Sequence, residues 1–216
     1  MMNTERTLLV ALSATLALPC LASTAASADP LPPKEMTLEV VGYEGTGCPP
    51  GPPEEVEISL KKDYTGFTVR LGSMVAKDGA GSGSNDYRKH CDLFLNAHTP
   101  SSHTFAVRPV DYTVRGQLGS GASAVLTSRI FFPGDPGPMT RVERISGPFK
   151  GVRQLPAPDT ELRYKPCGDE RLIRIQTGLL VDIGTSDKSK KNFIELPNDD
   201  VYKFAWRECP DPARPR

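Results

Sequence analysis

Apolar and polar residues alternate at every second position along much of the chain, the period of strands with one buried face. Residues 36–41 (MTLEVV) open the series with a short β-branched run. Val56, Ile58 and Leu60 alternate with Glu57, Ser59 and Lys61; a turn at 63–66 follows, and Phe67, Val69 and Leu71 continue the pattern. The richest stretch is 88–132, where Leu93 and Leu95, Phe105 and Val107, and Val110, Tyr112 and Val114 mark three successive strands. Residues 116–121 bend the chain, and 122–132 form the next strand. Weaker strands are expected at 140–152 and 161–164.

Residues 171–183 (RLIRIQTGLLVDI) fit two periods. Leu172, Ile175, Leu179 and Ile183 make a helical stripe, whereas Ile173, Ile175, Thr177, Leu179, Val181 and Ile183 alternate without a gap. The β-branched content and the central Thr177-Gly178 favour the strand. A polar, basic stretch at 185–192 reads as a solvated hairpin loop, with strands at 193–196 and 201–206 as the return path.

The chain of 216 residues contains 19 glycines and 21 prolines, a density that suits short strands and many turns rather than long helices. The fold expected is all-β, an antiparallel β-sandwich. Glycine and proline crowd around Cys48, and 134–138 (GDPGP) is a turn region. Residues 79–84 (GAGSGS) read as a flexible connection, since a phosphate cradle needs a Gly-Lys-Ser/Thr ending and a following helix.

The amino-terminal segment reads as address rather than structure. Arg6 precedes an apolar run at 8–18 too short to span a bilayer, and Ala26-Ser27-Ala28 is a small-x-small cleavage site. Cys20 lies in this segment, but Ala17 and Pro19 do not make a lipoprotein signal. The organisation expected is a secretory signal at 1–28, a leader and first strand at 29–44, a disulfide-stapled domain at 45–209 and a flexible tail at 210–216. No later apolar run is long enough to cross a membrane. The 26 basic and 26 acidic residues balance, so composition gives no reason to expect nucleic acid as a partner.

Export leaves four cysteines: Cys48, Cys91, Cys167 and Cys209. An even count in an oxidising compartment reads as two disulfides, and the absence of a C-x-x-C pair argues against zinc. If 171–183 and 193–207 form a hairpin about an axis near Lys188, Cys167 falls opposite Cys209 just beyond the strand ends. Elimination then pairs Cys48 with Cys91.

Several fragments occur in an order known from elsewhere. They are Gly45-Thr46-Gly47-Cys48-Pro49, Arg88-x-x-Cys91-x-Leu93-x-Leu95, Asp111-Tyr112-x-x-Arg115-Gly116, Pro166-Cys167-Gly168 with Ile173-x-Ile175-x-Thr177, and Trp206-x-x-Cys209. The ordered set resembles a secreted microbial family catalogued as domain of unknown function 4360. Two places depart from it: Thr113-Val114 precede Arg115 where the family prefers Arg-Gly directly, and Tyr164 stands where it tends to have Trp. The resemblance implies export, paired cysteines and a β-rich domain, and carries no activity.

Catalytic constellations fail one by one. There is no G-x-S-x-G elbow around Ser82, Ser120 or Ser123. His98, Asp111 and Ser120 stand in a triad order, but on consecutive strands where three side chains rarely converge. His98 and His103 carry opposite strand parity, which argues against a shared metal. Asp199 and Asp200 read as a polar turn rather than a carboxylate pair or a calcium loop, and Trp206 as packed rather than displayed. No catalytic residue, metal site or cofactor is expected. The reading is a secreted, non-catalytic module that recognises a surface, a polysaccharide or a protein. The rivals are a hydrolase with dispersed carboxylates and a protease inhibitor presenting residues 134–138.

Overall fold

A computed structural model of the protein describes residues 30–48, 56–197 and 199–210. The expected signal at 1–28, with Cys20, and nearly all of the expected tail lie outside the described residues. Every regular element among the described residues is a β-strand, in three antiparallel sheets.

The first layer is a five-stranded sheet. It contains β1 (Thr37–Glu44), β5 (Arg88–His98), β8 (Ser123–Phe131), β9 (Met139–Ser146) and β11 (Ile173–Asp182), in the order β1-β5-β11-β8-β9. The ambiguous segment is therefore its central strand. Ile173, Ile175, Thr177, Leu179 and Val181 point inward and are buried, while Arg174, Gln176 and Leu180 face out. A helix would have buried Leu172, which instead lies outside the strand and is half-exposed.

The second layer consists of two four-stranded sheets. One orders β2 (Glu57–Leu60), β3 (Gly66–Arg70), β13 (Asp199–Glu208) and β6 (His103–Val107) as β2-β3-β13-β6. The other orders β10 (Phe149–Leu155), β7 (Tyr112–Leu118), β12 (Lys191–Leu196) and β4 (Met74–Gly79) as β10-β7-β12-β4. The two are halves of one broken layer. β3 runs on into β4, β6 into β7 and β12 into β13, and β13 lies between β3 and β6 just as β12 lies between β4 and β7. The sandwich expected from alternation is present, with one wall broken.

One core fills the space between the layers. The Tyr112 hydroxyl donates to Ser128 Oγ at 2.9 Å, joining β7 to β8 across it. Phe67 stacks on Tyr202 with ring centroids 5.1 Å apart, and Phe105 meets Phe132, Phe204 and Trp206 edge to face at 5.0–5.9 Å. Each buried aromatic contributes roughly 1.5–3 kcal/mol through removal from water. Arg141 is 7 % exposed yet satisfied: it donates to Val110 O (2.6 Å) and Pro156 O (2.8 Å), pairs with Glu143, and lies over the Tyr112 ring.

Both disulfides form, Cys48–Cys91 and Cys167–Cys209, with Cα separations of 5.3 and 5.8 Å. The hairpin used to predict the second does not exist. β11 pairs with β5 and β8, β12 with β4 and β7, and β13 with β3 and β6. Cys167 meets Cys209 because both flank β6. Trp206 pairs with Phe105 on one side, and the Lys165 N–H donates to Phe105 O from elsewhere. The Cys209 N–H donates to Ser102 O. Residues 185–192 are largely solvated, as expected, but form a crossover between layers rather than a hairpin loop. Ser186 and Asn192 are buried there, and Asn192 Oδ1 accepts the Gly119 N–H at 2.7 Å.

Three smaller expectations also change. The weak strand at 140–152 is two strands in different layers, β9 and β10, divided at Gly147-Pro148. Residues 161–164 form no strand. β4 was not anticipated, because Met74 and Ala76 make only two inward positions before the glycine-rich connection.

Candidate functional site

The outer face of the five-stranded sheet carries a groove of about 410 Å³ across β5, β11 and β8. Register places its walls. Asp92 on β5 lies beside Gln176 on β11, and Gln176 beside Arg129 on β8. One step along, His90 lies beside Gly178, and Gly178 beside Thr127; the next row is Arg88, Leu180 and Val125. These are the positions that alternation turns away from the core.

Gly178 makes the depression. It is the outward position between Gln176 and Leu180, so the middle of the central strand has no side chain there. A Cβ on it would lie 2.7 Å from Thr127 Oγ1. A glycine inside a strand loses packing and backbone entropy, and a frequent reason for one is close approach by a ligand or another chain. Leu180 and Val125 supply apolar floor, and Tyr87, 43 % exposed, stands at one end.

The electrostatics are uneven. Asp92 is the only carboxylate lining the groove, and it is already engaged. It accepts from Arg174 Nη2 at 2.6 Å and from Gln176 Nε2 at 3.0 Å, while the Arg174 guanidinium lies between the rings of Phe94 and Phe131, 5.0 and 5.6 Å from their centroids. Lys89 is paired with Asp86 at 3.2 Å. Arg88 and Arg129 also line the groove and make no ion pair among the described residues.

The predicted catalytic candidates are not brought together. His98 ends β5, whereas Ser120 precedes β8, whose first residues lie beside the opposite end of the sheet, near Arg88. The eleven residues of β5 put roughly 30 Å between those ends. Asp111 is used elsewhere, its Oδ1 accepting the Ala157 N–H at 2.6 Å. His98 and His103, despite opposite parity, line one cavity of about 170 Å³ with Lys165, Asp169 and Glu170. His98 Nε2 lies 3.0 Å from Asn96 Nδ2 and His103 Nδ1 2.9 Å from Ser102 Oγ. No group of three metal-ligating side chains occurs among the described residues.

Asp199 and Asp200 separate by alternation. Asp199 accepts from Arg70 Nε at 3.1 Å on the surface. Asp200 points inward, and burial, with a smaller contribution from the Asp199 charge, pushes its carboxyl up to about 7. Trp206 is buried in the aromatic cluster with its indole N–H on Tyr64 O at 2.9 Å. In the 134–138 turn, Asp135 Oδ1 accepts from Arg171 Nη1 at 3.3 Å and its N–H bonds Phe132 O.

The motif Asp111-Tyr112-x-x-Arg115-Gly116 is consumed by structure. Asp111 holds the backbone at Ala157, Tyr112 spans the core, and Arg115 forks onto Glu195 at 2.9 Å. At Gly116 a Cβ would come within 2.5 Å of Phe193 O on β12. Arg88, from another motif, is different: exposed, unpaired among the described residues and facing the groove. The groove is not legible in the sequence. Its local trace is a glycine inside the 171–183 alternation, whose outward neighbours Gln176 and Leu180 carry no charge.

A family model described as "Domain of unknown function (DUF4360)" matches residues 34–209. A protein of Arthroderma benhamiae named "Uncharacterized secreted protein" is 26% identical over 184 residues, covering 82% of this chain and 73% of its own length.

Proposed function

The chain belongs to the family described as domain of unknown function 4360, and from that premise we propose that it is an exported recognition module binding a polysaccharide along the groove over Gly178. The disulfides and the secreted name of its relative support export. The observation that carries the binding reading is the groove itself. Hydrogen-bonding groups from three strands line it, and Leu180, Val125 and Tyr87 give it an apolar end, which suits the polar edges and C–H faces of pyranose rings. The hydrolase rival fares worse at this site, because glycoside hydrolysis needs two carboxyl groups about 5–10 Å apart and Asp92 is committed to Arg174.

The test is affinity electrophoresis of the secreted protein through gels containing single polysaccharides. At least one polymer should retard the parent protein, and Gly178→Val should remove the retardation. Tyr87→Ala, at an exposed position, serves as a second variant should Gly178→Val fail to fold. A folded protein that no polysaccharide retards overturns the reading. Release of reducing ends from a retarding polymer favours the hydrolase.

A further inference from the structure

We infer that the groove selects an anionic polysaccharide, one bearing carboxylate or sulfate groups, an inference that rests on the polysaccharide reading above. The observation is the charge left over once internal pairs are formed. Asp92 is neutralised by Arg174, and Asp86 is shared between Lys89 and Lys77. Arg88 and Arg129 remain, on opposite sides of the Gly178 gap, one on β5 and the other on β8. Arg144 of β9, opposite Val125, adds a third exposed arginine on the same face. None of the three makes an ion pair among the described residues. His90, between Arg88 and Asp92 along β5, adds a polar ring whose Nδ1 is 3.4 Å from Thr46 Oγ1. Glu44, beside Asp92, and Asp182, beside Ser123, are the acidic residues at the rim.

Two features separate this from an ordinary charged surface. Unpaired arginines on a solvated sheet usually alternate with acids, whereas here they bracket a concave site whose one acid is spent. Guanidinium is also the group that binds carboxylate or sulfate in two parallel hydrogen bonds, with geometric selectivity that lysine lacks. The groove between two such forks, shallow where the Thr127 side chain packs over Gly178, seats a sugar ring against that floor and places its acidic substituents at the walls.

Isothermal titration at low ionic strength with polygalacturonate, dextran sulfate and dextran tests the inference. The two anionic polymers separate a carboxylate source from a sulfate source. Binding to either should exceed binding to dextran, weaken as salt rises, and fall roughly tenfold for each of Arg88→Ala and Arg129→Ala. Lysine at either position should recover only part of the loss. Equal binding of dextran, unaffected by the arginine variants, overturns the inference and leaves the polysaccharide reading standing. Binding of polyglutamate or single-stranded DNA as tight as that of the anionic glycans also overturns it, since charge alone would then suffice. Failure to bind any of the three glycans, with the fold intact, overturns the inference. Failure of the whole gel panel as well overturns the polysaccharide reading with it.

Discussion

Tyr112 and Ser128 meet across the sandwich, hydroxyl to hydroxyl, at 2.9 Å. Both are buried, so neither oxygen has water as an easy substitute. Tyr112→Phe should lower stability by about 1 kcal/mol, or roughly 2–4 °C in Tm for a domain of this size. Urea denaturation checks it. An unchanged midpoint would mean that the bond only replaces equivalent hydration.

Asp200 supplies a pH dependence of unusual sign for a carboxylate. Its folded-state carboxyl lies at about 7 against 3.8 for the free group, because burial penalises the charge and Asp199 adds repulsion. The folded protein therefore holds this proton more tightly. The associated stability is complete below pH 4, declines as pH rises to 7 and then levels, a change of about 4 kcal/mol. Asp86, held down to about 2 by the Gly83 N–H and by Lys77 and Lys89, acts in the opposite direction and only below pH 4. Asp200→Asn should flatten the decline between pH 4 and 7 and be more stable than the parent at pH 8. Tm measured against pH decides this.

Loss of the Cys48–Cys91 bridge, which spans 43 positions, should cost about 4 kcal/mol on the chain-entropy estimate. The paired Cys48→Ser and Cys91→Ser variant should show this in its denaturation midpoint. Non-reducing peptide mapping of the parent should yield Cys48–Cys91 and Cys167–Cys209 peptides, and a crossed pair would contradict the strand order.

Arg141→Met keeps much of the volume but strands the carbonyls of Val110 and Pro156 and unpairs Glu143. A loss of about 3 kcal/mol is expected. A smaller loss at high salt than at low salt would locate the effect in the ion pair rather than in the buried carbonyls.

Alternation revealed faces and concealed neighbours. Val181 and Ile175 could be assigned to the core from spacing alone, because a strand in a half-solvated sheet must turn every second residue inward. Nothing in that spacing says that Thr177 lies beside Cys91 on one side and Ser128 on the other. The invented hairpin joined 171–183 to the nearest later strand, and the correct cysteine pair emerged from it for the wrong reason. Proximity to β6 brings Cys167 and Cys209 together, and β6 lies some sixty to a hundred residues earlier. The groove was hidden by the same limit. Arg88, Gly178 and Arg129 belong to one surface only once three separate strands are in register. Gly178 stood out only as a mark of strand, and Arg88 only as part of a motif around Cys91.

The position of β13 bears on the order in which the fold can close. β13 is flanked by β3 and β6, with Asp199 beside Arg70 and Phe204 beside Val107. Neither earlier strand can complete its ladder until residues 199–208 are available, and the Cys167–Cys209 clasp closes later still. Such distant pairing delays the main loop closures until almost the whole domain has been synthesised. Under the export proposed above, a chain of this topology remains open during transit, and the Cys167–Cys209 lock is added where thiols can oxidise.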